Sequence, residues 1–538
     1  MTRAGSVAIP WSVRLLVTIG ACITLAGCGA HTGPSGASAQ ASAELRRGNG
    51  AEPDSLDPAL ARTDSAANIL RDAYEGLATL DAQAVPVPGV ASSWDVSADG
   101  RTYTFHLRDT ARWSNGEPVT AADFVASWRR LVSPATGSQY AAVLKPVLNA
   151  AEILQGHASV ESLGVTAQGT HTLLVRLSAP TSYFPGLVTH WSTFPTYQGN
   201  APMPAGKTIS NGAYQLSSWI VGMQARLTKN PHYWNATQVS IEAVRFVHIA
   251  DANDEYTRYR AGEIDATYTL PQMNLQKLQE AHGAAVHRGP QLGVYYYGFN
   301  LTKAPFKDAP QLRLALSMSV DRERLVNQVT GLGELAAYSW VPTGVANYTP
   351  QQFSWAAQPY TDRVRAAQQL YQQAGYSAEK PLTIEIRFPS GPTHERIALS
   401  IASMWKEALG VQTTLVGEEF KSLLQTINRG DVQVFRSSWI GDYNDASTFT
   451  DVLGSGFGIN LPHYKNPEFD SLLAAAASES DMGRRRQTLQ NAERLMLADM
   501  PLIPLYFYVN KHLVAPRVDG WYDNVMNVVY TKDLHLTR

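Results

Sequence analysis

Apolar and polar positions alternate, or recur at helical spacing, through most of the chain. Ile69, Leu70, Ala73, Tyr74 and Leu77 share one side of a helix predicted over residues 66–77. After the hairpin-type turn Asp99-Gly100, the residues Tyr103, Phe105 and Leu107 alternate with Thr104, His106 and Arg108, which predicts a half-buried strand with His106 on its solvent face. Thr120 and Asp123 have the spacing of a capping box. The helix they open turns Phe124, Val125, Trp128, Leu131 and Val132 inward. The second half reads strand, helix, strand, helix, strand. A helix over 361–374, with Val364, Ala367, Leu370 and Tyr371 inward, stops at Gly375. Leu382, Ile384, Ile386 and Phe388 alternate as a strand, a helix over 393–409 stops at Gly410, and Val411, Thr413 and Leu415 alternate again. A helix carrying Phe420, Leu423, Leu424 and Ile427 leads to the strand Val432-Gln433-Val434-Phe435. That succession predicts an open parallel sheet. A helix over 483–498 and an apolar strand over 501–509 follow, and its prolines favour a strand beginning or a sheet edge.

In open parallel sheets ligands sit beyond the carboxyl ends of the strands. The stretch Arg436-Ser437-Ser438-Trp439-Ile440-Gly441-Asp442-Tyr443-Asn444-Asp445 follows such an end. A cation, two aromatics and two acids within ten positions suit a charged surface loop, a hydrolase site built on carboxylates, or a pocket that clamps a charged, amide-rich ligand.

Length changes the picture next: 538 residues exceed what one core usually holds, so two or three domains are expected. A net charge of -2 without a long basic run gives no electrostatic case for nucleic acid. Twelve Trp and 24 Tyr suit cores and ligand clefts alike. At the N-terminus, Arg3 and Arg14 precede a mostly apolar run over 15–26, too short to span a bilayer but of signal-peptide length. It ends in Leu25-Ala26-Gly27-Cys28, which resembles the bacterial lipobox, and so predicts cleavage before Cys28 and its lipidation. Residues 28–43 then form a flexible lipidated tether. The other cysteine, Cys22, lies in the signal, so the mature body has no thiol for catalysis, disulfides or thiolate metal binding.

Other chemistry is weak. No Gly-x-Ser-x-Gly elbow occurs. His394-Glu395-Arg396-Ile397-Ala398 begins like a zinc-protease helix but has Ala398 where the second His belongs. Gly331-Leu332-Gly333-Glu334-Leu335-Ala336 follows a helix-like segment rather than a strand and reads as a turn, and Gly206-Lys207-Thr208 lacks the leading Gly of a phosphate loop. Glu418-Glu419 reads as a dipole-stabilising pair at a helix start. No metal, cofactor or catalytic residue is assigned, and the chain is not expected to be an enzyme.

Gly89-Val90-Ala91-x-x-Trp94, Tyr103 to Arg108, and Trp113-x-x-Gly116-x-Pro118-Val119-Thr120-Ala121-x-Asp123-Phe124 with Trp128 come in order. They are followed by Ser210-Asn211-Gly212-Ala213-Tyr214, Tyr233-Trp234-Asn235, Tyr259-Arg260-Ala261-Gly262-Glu263-Ile264-Asp265, Tyr295-Tyr296-Tyr297, Pro305-Phe306 with Arg313 and Ala315-Leu316, and Asp442-Tyr443. Together these blocks resemble the peptide-binding proteins of ABC importers, bacterial solute-binding protein family 5, over nearly all of the mature chain. The oligopeptide-binding subgroup is the nearer likeness and the murein-tripeptide binders a close second.

The resemblance implies an α/β, two-lobed Venus-flytrap fold of the large, three-domain type. Domain I would combine 44–75, 200–293 and 510–538, domain II would be 76–199, and domain III 294–509. It implies a monomeric, lipid-anchored, extracytoplasmic subunit that closes over a short peptide and hands it to membrane permeases. Asp442 is then expected to take the α-ammonium, the backbone of Ser438 to Ile440 to pair with the extended ligand, and Trp439 to wall a side-chain pocket. Arg436 and His394 would meet carboxylates of peptides of different length, and Tyr140 and Phe420 would line the cleft. Phe420 departs from a family position that is often Trp. Arg62 stands where a relative within the family has an acid, which would either reverse a preference for ligand charge or lengthen the salt-bridge network near Arg436, with Asp64 and Asp445 adding charge near the amine end. Gly293 and Ile440 stand where that relative has a cysteine pair. The competing expectations are a murein-peptide or other small-solute binder, and a secreted hydrolase using Asp442 and Asp445.

Overall fold

The computed structural model describes residues 44–271, 273, 275–456 and 460–537. The signal segment, Cys28 and the tether lie outside the described residues.

Strand β1 (Glu44–Gly48) opens the body, and helix α1 (Asp64–Ala73) follows. Thr63 caps that helix by accepting from the Ala66 amide, and Asp54 in turn takes the Thr63 hydroxyl at 3.0 Å. The helix starts two residues earlier than its apolar pattern predicts and ends at Ala73, because Tyr74 is already extended. The hairpin β2 (Ala78–Leu80) and β3 (Pro86–Pro88) leads into β4 (Ala91–Val96) and β5 (Thr102–Leu107). Helix α2 (Ala121–Val132) has the expected capping box, with the Asp123 carboxylate accepting from the Thr120 amide at 2.8 Å. Strands β6 (Val165–Ala167) and β7 (Thr172–Arg176) complete a sheet in the order β4-β5-β7-β6. Strands β8 (Tyr214–Ile220), β9 (Gln224–Lys229) and β10 (Ala243–Val247) return to β1 in the order β1-β10-β9-β8. These two sheets share one hydrophobic core around Phe105, Trp113, Trp128, Phe184, Tyr214 and Phe246.

The second core belongs to a six-stranded sheet. Its strands are β11 (Val286–Phe299), β12 (Leu335–Ala336), β13 (Thr383–Pro389), β14 (Gln412–Glu418), β15 (Val434–Ile440) and β16 (Leu502–Leu513), in the order β12-β16-β11-β15-β13-β14. Helix α3 (Tyr360–Gln373) precedes β13; α4 (Pro392–Leu409) joins β13 to β14, and α5 (Phe420–Asn428) joins β14 to β15. Trp340, Trp405, Tyr295, Tyr297 and Phe388 fill the core, and α6 (Met482–Asp499) packs Leu489, Ala492 and Met496 into it.

The sheet corrects the parallel prediction. Only β14, β13 and β15 are parallel; β11 runs antiparallel to both β15 and β16. The helical crossovers supply the parallel part, whereas β11 and β16 enter from distant sequence. The apolar strand at 501–509 begins right after Pro501, at Leu502, as one of the two readings of its prolines expects, and it lies between β11 and the short β12. Pro504 is tolerated because β12 covers only Tyr506 and Phe507 on the other side, where the Pro504 carbonyl accepts from Arg322 Nε at 2.9 Å.

β11 and β16 are long enough to pass from one core to the other. Their outer part, Val286 to Pro290 against Leu513 to Val509, is separated by register shifts from the part that belongs to the second core.

Candidate functional site

A cavity of about 1020 Å3 lies between the two cores, at or above the ~300–1,000 Å3 typical of small-ligand sites. One wall comes from the end of β15 and the loop after it: Trp439, Ile440, Gly441, Asp442 and Tyr443. The facing wall comes from α1 and the turn before it, with Arg62, Asp64, Asn68 and Arg71, and from Tyr140.

β15 is half open. Its register with β11 runs from Val434 to Ile440, but β13 pairs only with Val434 and Phe435. The Gly441 amide donates to the Leu292 carbonyl at 2.7 Å, which fixes the phase of the ladder. Antiparallel alternation then turns the N–H and C=O of Ser438 and Ile440 away from β11, toward the side no strand covers among the described residues. That edge leads straight to Asp442.

The Asp442 backbone amide is held by Thr448 Oγ1 at 3.2 Å. Its carboxylate accepts no hydrogen bond and meets no cation among the described residues. The residue is exposed and faces the cavity, and desolvation by the surrounding wall pushes its carboxyl up to about 6. Asp451, also in the lining, is pushed to about 7 by burial and then by the nearby Asp445 carboxylate. Tyr140 packs edge-on against Trp191 at 5.2 Å, and burial, then Asp442 and Asp64, raises its phenol to about 12.

Six of the sequence-predicted residues therefore share this cavity: Asp442, Trp439, Ile440, Tyr140, Arg62 and Asp64. Four do not line it. Ser438 contributes the open strand edge. Arg436 sits in a cage of phenols, 4.3 Å over the Tyr295 ring and 3.1 Å from the Tyr508 hydroxyl. His394, at the start of α4, bonds the Tyr295 hydroxyl at 3.2 Å; burial, and then Arg436, pulls its imidazole down to about 4. Roughly 20 Å of strand separates Arg436 from Asp442. Phe420 is 55% exposed at the first turn of α5, outside the lining. Arg62 pairs with Asp54 at 2.8 Å rather than with the phenols around Arg436. Gly293 and Ile440 are direct cross-strand partners, and a Cβ on Gly293 would stand 2.5 Å from Ile440 Cδ1. Filling one position thus requires trimming the other.

Sequence reasoning missed Arg71, Asp451 and Tyr183, all in the lining. For Arg71 a signal existed: Asp64, Asn68 and Arg71 recur at i, i+4 and i+7, a polar stripe on a helix whose other side is apolar. Asp451 and Tyr183 carry no such pattern.

This geometry is a ligand-binding crevice between two lobes, with the Asp442 carboxylate free at the end of an open strand edge. The chain belongs to the bacterial extracellular solute-binding proteins, family 5, whose Middle profile matches residues 85–460. It is 38% identical over 518 residues to the periplasmic oligopeptide-binding protein OppA of Escherichia coli (strain K12), covering 94% of each chain. It is 37% identical over 513 residues to the periplasmic murein peptide-binding protein MppA of the same organism, covering 94% of this chain and 95% of that protein. The unliganded open form of MppA superposes with a TM-score of 0.82 at 37% identity, over 92% of this chain and 98% of that one. The two-lobed periplasmic-binding-protein fold of the large type is thereby established. No helix among the described residues is long and apolar enough to cross a membrane.

Proposed function

We propose that the chain is the extracytoplasmic substrate-binding subunit of an ABC importer, and that it captures short peptides in extended form. The single observation that carries this reading is the unpaired Asp442 carboxylate at the end of the open edge of β15, inside the cavity. An extended peptide offers the matching parts: an α-ammonium for Asp442 and a backbone that adds to Ser438 and Ile440 as a further strand. Trp439 and Tyr140 flank the side chains, and Arg62 and Asp64 face them from the other lobe. Arg436 and His394 are the candidates for the carboxylate of a ligand that extends back along β15. Phe420 could reach such a ligand only from outside the cavity.

The names of the relatives support a peptide ligand and fit an importer permease as partner. On this reading the protein is exported, anchored by lipid on Cys28, monomeric, and free of cofactor or metal. It performs no chemistry itself, and the membrane partners hydrolyse ATP.

Calorimetry with tetra-alanine and its N-acetylated form tests the reading. Tetra-alanine should bind and the acetylated form should bind far worse; equal binding overturns recognition of the amine. Peptide recovered intact after prolonged incubation is expected, whereas cleavage that Asp442→Asn abolishes would restore the hydrolase alternative. Mass spectrometry of copurified ligand separates general peptides from murein peptides, the second reading favoured by the near-equal likeness to MppA.

A further inference from the structure

Among the described residues four cations stand in the cavity wall, Arg47, Arg62, Arg71 and Lys145, and they are not equivalent: Lys145 is exposed to solvent, whereas Arg71 is half-buried. Arg62 is paired with Asp54, and Arg47 donates to the Val529 carbonyl at 3.0 Å and Thr531 Oγ1 at 3.3 Å. Arg71 makes no hydrogen bond and no ion pair among the described residues. Its guanidinium lies 5.2 Å over the ring of Trp191, itself fixed by an indole N–H bond to the Ala61 carbonyl at 3.2 Å. Burial pulls the Arg71 pKa below its ordinary value. A guanidinium carries five donors, and those of Arg71, half-buried in the cavity wall, meet no protein acceptor among the described residues. The fold holds this one against an aromatic face and opens it to the cavity.

No protein anion answers it. Asp64 lies on the same helix face, but seven residues and roughly 10 Å of helix axis away. Asp442 stands on the opposite wall, and Asp72, the next residue, accepts from the Thr531 amide at 3.0 Å. Of the remaining neighbours, burial holds the phenols of Tyr140 and Tyr268 and the imidazole of His190 in their neutral forms.

We propose that Arg71 is an anion subsite of the cavity, and that it takes a carboxylate of the bound ligand through its planar fork. The proposal rests on the peptide reading above and deepens it: the ligand bridges the lobes electrostatically, ammonium on Asp442 and carboxylate on Arg71. Such a carboxylate comes from an acidic side chain or from the ligand's C-terminus, and the chemistry at Arg71 is the same.

The test is calorimetry on the full chain with three peptide sets: tetra-alanine, tetra-alanine with Asp or Asn at each of its first three positions, and tetra-alanine amide. If the subsite takes a side chain, one Asp peptide binds about tenfold or more tighter than its Asn twin, as expected for a charge-assisted bidentate contact. If it takes the terminus, amidation weakens binding by a comparable factor. In either case Arg71→Gln collapses that ratio toward one, and Arg71→Lys restores part of it. The proposal is overturned if the wild-type protein distinguishes neither the Asp/Asn pairs nor the amide. It is equally overturned if the ratio survives in Arg71→Gln. The wild-type comparisons need no variant to fold. Failure of tetra-alanine itself to bind would instead remove the peptide reading, so the two failures are distinguishable.

Discussion

Asp442 and Asp445 are three positions apart and chemically identical, yet the fold uses them in opposite ways. Asp445 is 7% exposed and accepts from both terminal nitrogens of Arg485 at 2.8 Å, while its Oδ1 also takes the Ser447 amide at 2.9 Å. Its charge is consumed inside the fold. Asp442 is exposed into the cavity and meets no cation among the described residues. A carboxylate partly desolvated by the cavity wall and left without a protein partner is placed to meet a charge that arrives from outside. The same contrast weakens the hydrolase reading. Asp445 is bound on both oxygens, so it is not available to share proton transfer with Asp442.

Breaking each acid in turn tests the contrast. Asp442→Ala should leave a ligand ammonium unpaired and cost about 3–5 kcal/mol of binding, or roughly two to three and a half orders of magnitude in Kd. Its unfolding midpoint should stay put or rise slightly. Asp445→Ala should do the reverse. It strands the Arg485 guanidinium, 4% exposed, and should cost about 3–5 kcal/mol of folding stability in denaturant titrations, with affinity kept by the folded fraction. If both variants lose the same affinity while fully folded, the distinction between a structural and a reserved charge collapses.

The pH response sharpens the point. Burial raises the folded-state Asp442 carboxyl to about 6 from 3.8. Its contribution to the stability of the free protein is therefore complete below about 3.8 and lost as pH rises through 6. Binding runs the other way, because the ammonium needs the ionised form. Affinity for tetra-alanine should fall by up to about tenfold per unit below pH 6. Asp442→Asn should flatten that slope, and Asp451→Asn should remove any further dependence near pH 7. A slope unchanged in Asp442→Asn would detach the amine from Asp442.

Much of this was legible in sequence, for identifiable reasons. The helices at 360–373 and 392–409 and strands β13 to β15 follow from apolar periodicity and glycine stops, which are local. Asp442 stood out because a strand end delivers it with a cation and two aromatics nearby. The facing of Gly293 and Ile440 was implied by a pair lost together, and β11 and β15 do bring them opposite. Three things were hidden. The antiparallel entry of β11 and β16 depends on pairing between segments some two hundred residues apart. Arg363, 3% exposed, takes an inward place in α3 because Tyr338, Trp355 and Tyr360 offer ring faces that no periodicity announces, whereas Val364 is only half-buried. Whether a guanidinium is paired, as Arg62 is, or unpaired among the described residues, as Arg71 is, depends on tertiary neighbours alone.

The smallest expected effect concerns how the Asp442 loop is held. Tyr443, next to Asp442, stacks on Tyr183 with ring centroids 5.1 Å apart and 3° between planes. Arg485, already tied to Asp445, lies 5.0 Å over the Tyr183 ring. The structural charge and the reserved charge are thus joined through one aromatic contact between the lobes. Tyr183→Leu keeps the apolar volume but removes the stacking and the cation–π face, worth about 0.5–1.5 kcal/mol. Peptide affinity should then drop roughly two- to tenfold, while Tyr183→Phe, which preserves the ring, should bind as the wild type does. A hundredfold loss in Tyr183→Leu would mean that the carboxylate is not preorganised by its own strand and Thr448. Asp442 would then be a site that exists only while this stack holds it.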